Sequence, residues 1–244
     1  MLFIRKIISI LGAILILTNN NKGLTMKIIK FLFISFLLIS GMTVKSLADA
    51  SDLQGFHMAL EISANGAQVD GKHTDTDATA QITNGTAGAT GMVAGASVGY
   101  TMAFDDTFSM TIDGQWNPMD HTFKADDAAN ADDVTVNMDH MYTVSLELNA
   151  NVTDASAVYA KVGYTEFELE ASGTGLDAAQ AFDLDGQVYA LGTKTMMDNG
   201  MFFKSEMGMK EYDTFKLVGV GTGDGTVEAD VDVAYGSFAI GMKF

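Results

Sequence analysis

Cysteine is absent from all 244 residues, and proline occurs once, at Pro118. Without cysteine an exported chain has no disulfide framework and no thiol chemistry, so its stability must come from elsewhere. Arginine is missing beyond Arg5, and residues 51–244 carry eight lysines against 30 acidic residues, a formal net charge of −22. Nucleic acid is thereby excluded as a partner, because phosphate contacts need clustered Lys and Arg. Helical periodicity is scarce too: past residue 50 no stretch longer than a few residues repeats the i, i+3, i+4 pattern.

What is present begins with an export signal. From Met26, Lys27 and Lys30 form a basic start, Phe31 to Val44 is largely apolar, and Ala48-Asp49-Ala50 offers small residues to a signal peptidase. The apolar run is shorter than the about 20 residues a spanning helix needs. Residues 26–50 are therefore expected to be a signal peptide, and residues 1–25 a gene-model extension upstream of the true start. Residues 51–244 form the expected domain.

In that domain period two dominates. Phe56, Met58, Leu60, Ile62 and Ala64 alternate with polar or small residues. The same alternation recurs with apolar residues at 96–104, 108–116, 142–150, 156–164, 189–197, 201–209 and 234–244. Eight strands are expected, joined by tight turns at Asp105–Thr107, Asn151–Ala155 and Asp198–Gly200, and by long loops at about 65–90, 117–136, 172–183 and 213–226. Alternating short and long connections describe an eight-stranded antiparallel up-and-down β-barrel with both ends at the short-turn side. The opposite face carries His57, Glu61, Thr101, Thr111, Asp113, Thr143, Glu147, Lys161, Lys194, Lys204, Glu206 and Lys243. A soluble barrel would point its apolar face inward. Here the polar face suits a lumen and the Met/Leu/Val/Phe face suits lipid, the pattern of a transmembrane barrel with short periplasmic turns and long extracellular loops. Aromatics support it: Phe56, Phe104, Phe108, Phe203 and Phe244 fall at the short-turn end, and Trp116, Tyr142, Tyr164 and Tyr189 toward the other.

The terminal "FAIGMKF" and the hairpin "VAGASVGYTMAFDDTFSMTIDGQW" resemble the small outer-membrane barrels of the OmpA/OmpX/opacity type. The resemblance implies a monomeric barrel in the outer membrane of a Gram-negative cell, in contact with lipid and lipopolysaccharide. It also implies that Phe238, Ile240, Met242 and Phe244 form a signal for the barrel-assembly machinery. A peptidoglycan-binding domain of the longer OmpA type is not present in the sequence, so no cell-wall tether is implied.

Candidate chemistry lies in the lumen. An eight-stranded barrel is just wide enough for side chains to fill, so Lys161, Lys194, Lys204 and Lys243 are expected to pair with Glu61, Asp113, Glu147 and Glu206 as an ion-pair plug, since an isolated buried charge is costly. The histidines do not suggest a hydrolase: His140 beside Asp139 faces away from Ser145, His73 and His121 are expected in loops, and His57 merely shares a face with Glu61 and Ser63. Asp70, Asp75, Asp77, Asp126, Asp127, Asp132, Asp133, Asp177, Asp224 and Glu228 are expected in solvated loops; their spacing matches no calcium loop. No enzyme activity, cofactor or metal is expected. The function expected is a structural or surface-interaction role through acidic loops, with a narrow porin-like diffusion channel as the alternative and a lipid A-modifying enzyme as a more distant one.

Overall fold

Outward apolar and inward polar side chains alternate along antiparallel strands in the computed structural model, which describes residues 50–74, 82–118, 121–127, 132–173, 176–220 and 225–244. The chain divides into two units, 1–45 and 46–244, and the described residues belong to the second. A short 3-10 helix, Ala50–Leu53, leads into β1 (Gly55–Thr74), β2 (Ile82–Ala103), β3 (Phe108–Asn117), β4 (His121–Asp127) and β5 (Asp132–Asn151). Then follow β6 (Ser156–Gly173), β7 (Gln180–Met196), β8 (Met201–Tyr212), β9 (Phe215–Val220) and β10 (Gly225–Lys243). Hydrogen-bonded neighbours run β1, β2, β3, β5, β6, β7, β8, β10, and β10 pairs back onto β1 from His57↔Lys243 to Thr74↔Thr226. Eight strands thus close into a barrel. The other two prolong ring members: β4 continues along β5 where β3 stops, and β9 continues along β10 where β8 stops.

The short turns lie where the alternation breaks. In the β7–β8 turn Gly200 adopts φ 80°, which glycine tolerates without a Cβ penalty, and the Met201 N–H donates to Asn199 Oδ1 at 3.1 Å. In the β2–β3 turn Asp105 Oδ1 accepts from the N–H groups of Thr107 and Phe108, each at 2.8 Å. The end of the chain is tied down at this side, where the Phe244 N–H donates to the Phe56 carbonyl at 2.8 Å.

The long loops expected from the sequence are mostly strand. Residues 65–74 and 82–90 prolong β1 and β2, residues 180–183 begin β7, and residues 121–127, 132–136 and 215–220 are β4, the start of β5 and β9. His73 and His121 therefore lie in strands, as do Asp70, Asp126, Asp127, Asp132, Asp133 and Glu228; Asp177 lies between β6 and β7, and Asp75, Asp77 and Asp224 fall outside the described residues. Six ring strands have 17 to 22 residues, whereas a tilted strand crosses a bilayer in about 9–11.

The reason lies in an exchange of polarity part-way along the long strands, seen on β6 and β10. On β6 the outward residues Val158, Ala160, Val162 and Tyr164 give way to Glu166, Glu168 and Glu170, while inward Tyr159, Lys161 and Thr165 give way to buried Phe167, Leu169 and Ala171. On β10 outward Phe238, Gly236 and Ala234 give way to Asp232, Asp230 and Glu228, and inward Ser237 and Tyr235 to Val233, Val231 and Ala229. Alternation persists, but its apolar partner changes sides at the Tyr164 level. The half nearer the short turns presents an apolar wall, and the far half buries an apolar cluster including Phe167, Leu184, Tyr212, Leu217 and Val231. A β-bulge between Asp139 and Tyr142, with His140 at φ 50°, resets the parity of β5 at the same level, so that Met138 and Met141 both pack against this cluster.

Inside the barrel, rings lie over glycines paired with them across a ladder. Tyr159 faces Gly192 and Phe202 faces Gly241 in register. A Cβ on Gly192 would sit 2.3 Å from Tyr159 Cζ, and one on Gly241 would sit 2.2 Å from Phe202 Cζ. The missing side chain makes room for the ring. Gly192→Ala should therefore destabilise the barrel by about 1–3 kcal/mol, the usual cost of overpacking, read as an earlier urea midpoint by Trp116 fluorescence. Gly114→Ala, whose Cβ would meet nothing nearer than 3.9 Å, should shift the midpoint little.

Candidate functional site in the barrel interior

The lumen of the half nearer the short turns is built from inward positions of all eight ring strands, and its polar side chains are held by one another. Lys161 on β6 and Glu206 on β8 form an ion pair at 3.0 Å. The same carboxylate accepts from Tyr159 Oη at 2.8 Å and from Tyr235 Oη at 2.6 Å. Lys204 on β8 pairs with Glu147 on β5, across the interior, and its ammonium lies 5.0 Å from the centre of the Tyr159 ring. These groups are buried. In a narrow interior each charge needs an opposite charge or several donors to offset its lost hydration, and Glu206 has both.

The expected plug residues are all inward, but the structure does not bring them together as four Lys–carboxylate pairs. Asp113 is met by His57, whose Nε2 lies 3.2 Å from Asp113 Oδ2. Glu61 Oε1 accepts from Gln115 Nε2 at 2.8 Å. The Lys194 ammonium lies 4.6 Å from the centre of the Phe202 ring, a cation–π contact. Lys243 is inward and half-buried at the short-turn end.

Sequence reasoning missed Lys210, which is buried, lies 2.8 Å from Met141 Sδ and stands over the Tyr235 ring at 5.4 Å. It also missed Tyr159 and Tyr235 as ligands of Glu206; their parity, opposite to that of the lipid-facing ridge, was the available signal. Thr101 and Thr111 share a hydroxyl hydrogen bond at 2.8 Å, and Thr143 donates to Thr165 at 3.0 Å. His57 is packed edge-on to Phe202, with ring centroids 5.6 Å apart, and serves Asp113 rather than a nucleophile. Among the described residues no group of three or more His, Asp or Glu is placed to hold a metal ion.

Outside, Phe238, Ile240, Met242 and Phe244 project from one face of the terminal strand; Phe238 is 70% and Phe244 72% exposed. Exposure of this degree on a run of large apolar residues is what a lipid-facing wall requires. No described helix is long and apolar enough to cross a membrane.

A comparison with protein families agrees with this architecture. A family model, the outer membrane protein beta-barrel domain, matches residues 34–243. No curated protein matches the sequence. Among solved structures the chain is similar to the outer membrane protein OprG from Pseudomonas aeruginosa, at 15% identity and TM-score 0.49 over 78% of this chain and 97% of that one. It is similar to Neisserial surface protein A at 13% identity and TM-score 0.42 over 76% and 99%. It is also similar to Ail, the attachment invasion locus protein of Yersinia pestis, at 12% identity and TM-score 0.40 over 76% and 99%.

The Lys204–Glu147 pair supplies a direct test of the interior. Lys204→Met should leave Glu147 buried without its cation and destabilise the barrel by about 3–5 kcal/mol, whereas adding Glu147→Leu should recover most of the loss. Urea midpoints of both single variants and the double variant check it.

Proposed function

The chain belongs to the outer membrane protein beta-barrel family and lies in the outer membrane, and from that premise we propose a non-catalytic, non-conducting barrel that anchors a surface-interaction module. The observation carrying the proposal is the double filling of the interior. Ion pairs and tyrosines occupy the lumen behind the apolar wall, and the cluster around Phe167, Leu184, Tyr212 and Val231 occupies the half beyond it. An ion would have to displace buried charges and then cross an apolar core, each step costing several kcal/mol. The filled far half is an exported, water-facing element on a membrane anchor. Its outer surface is acidic, with Glu166 opposite Asp185 and Glu168 opposite Asp183 across the β6–β7 ladder. Like charges in register destabilise a sheet, so this placement favours a role for the surface charge itself, in solvation or in selecting partners.

A narrow diffusion channel is the competing reading. The barrel reconstituted in a planar bilayer should show little or no steady conductance, and Lys204→Ala should raise leak conductance if it changes it at all. Large stable single-channel currents from the unmutated barrel would replace the proposal with the channel.

A further inference from the structure

Three cross-strand rows of outward residues follow one another on the wall formed by β3, β5, β6 and β7, and they differ in kind. Ile112, Leu146, Val162 and Tyr189 face one another across the ladders in the first row, and Gly114, Val144, Tyr164 and Gln187 in the second. The short side chains Val144 and Val162 lie among the larger Ile112, Leu146, Tyr164 and Tyr189, and these six line a groove of about 450 Å³. That volume falls within the roughly 300–1,000 Å³ of small-molecule sites. Gly114 leaves the β3 end of the second row without a side chain, and at the β7 end the Tyr189 hydroxyl donates to Gln187 Oε1. Val144, Val162 and Tyr164 are exposed, so the groove opens onto the bilayer.

The third row stands one level nearer the water, about 5 Å away once strand tilt is allowed for. It consists of Trp116, Tyr142, Glu166 and Asp185. At the mouth of the groove the Tyr164 hydroxyl is hydrogen-bonded to the Asp185 carboxylate, with Glu166 and Asp213 nearby. Glu166, Asp185 and Asp213 are all exposed. No lysine from these strands answers them: β3 and β5 contain none, and Lys161, Lys194, Lys204 and Lys210 of β6, β7 and β8 are buried inward. Beside hydrocarbon the local dielectric is lower than in water, which strengthens attraction for a cation and repulsion of a lipid phosphate alike.

We infer that the groove and the row above it form a binding site for a cationic amphiphile arriving laterally from the outer leaflet. Its aliphatic chain lies in the groove and its ammonium head sits at Glu166 and Asp185, beside the rings of Tyr142 and Trp116, which suit a cation as well. Lipid tails are as apolar as the groove, so the chain gains little by leaving the bilayer; it holds the head at the level of the carboxylates. Charge then makes the selection. The site lies on the membrane wall and goes beyond the surface-interaction reading. It rests on the outer-membrane placement alone, whether or not the lumen conducts.

The test uses the full barrel in phosphatidylcholine nanodiscs and dodecylammonium brominated at mid-chain, which quenches Trp116, the single tryptophan. Dodecyl sulfate brominated at the same carbon and the tail-less cation spermidine are the controls. Saturable quenching at one equivalent is expected above a linear background of partition into lipid, with the sulfate giving the background alone. Glu166→Gln with Asp185→Asn should weaken the saturable phase about tenfold. Val162→Phe, which fills the groove from an outward position, should abolish that phase and leave the background. Either variant carries the test if the other does not fold. Quenching that is linear throughout overturns the site, as does a saturable phase unchanged in the variants. Displacement by spermidine as effective as by unbrominated dodecylammonium would reduce the site to an acidic patch and overturn the groove. Saturable binding of the sulfate that depends on calcium would overturn the assigned head group, replacing the ammonium with a metal-bridged anionic lipid.

Discussion

Lipid offers no partner to a peptide N–H or C=O, and everything else in this molecule follows from meeting that condition. The ladder between β1 and β10 meets it by joining the first ring strand to the last. Once the ring is closed, each strand must show one face to lipid and one to the interior. The outward ridge Phe238, Ile240, Met242 answers the first demand, and the Lys, Glu and Tyr residues of the lumen answer the second. Where the strands leave the lipid the condition lapses, because water satisfies an exposed edge. Only there, among the described residues, does the ring part, between β2 and β4 and again between β7 and β9.

The same boundary explains why the interior has two kinds of filling. Behind the apolar wall the inner face is polar, and a space about one side chain wide forces those groups to satisfy one another. Glu206 is the centre of that arrangement, held by Lys161 and Tyr159 from β6 and by Tyr235 from β10. In the far half water is outside, so the hydrophobic effect reverses the preference and drives Phe167, Leu169 and Val231 inward. The carboxylates of Glu166, Glu168 and Glu170 then take the solvent side. One chain thus contains a membrane barrel and a water-facing barrel on the same strands.

Strand count, closure and the identity of the lipid face were legible in the sequence because each rests on parity, and parity is readable residue by residue. Strand ends were not. Outward polarity at Asp70 or Glu166 marks the end of the lipid, not the end of the strand, so residues 65–74 and 82–90 resembled loop. Lumen partners were legible only as a set. Parity puts Lys161 and Glu206 on one face, but whether they meet depends on strand tilt and stagger, which no local pattern encodes. That is why Asp113 meets His57 and Lys194 meets the Phe202 ring. The parting of β2 from β4 had one local sign, Pro118, which forbids a ladder bond without saying where the chain goes next.

Trp116, the single tryptophan, marks the level where the wall changes character: it is outward, 46% exposed, one residue before β3 ends. Its fluorescence in vesicles of lipids brominated at different depths measures directly whether that level is the membrane boundary. The polarity exchange predicts strong quenching by bromines near the headgroups and weaker quenching by bromines at mid-bilayer. Quenching greatest at mid-bilayer, or absent at every depth, would contradict it.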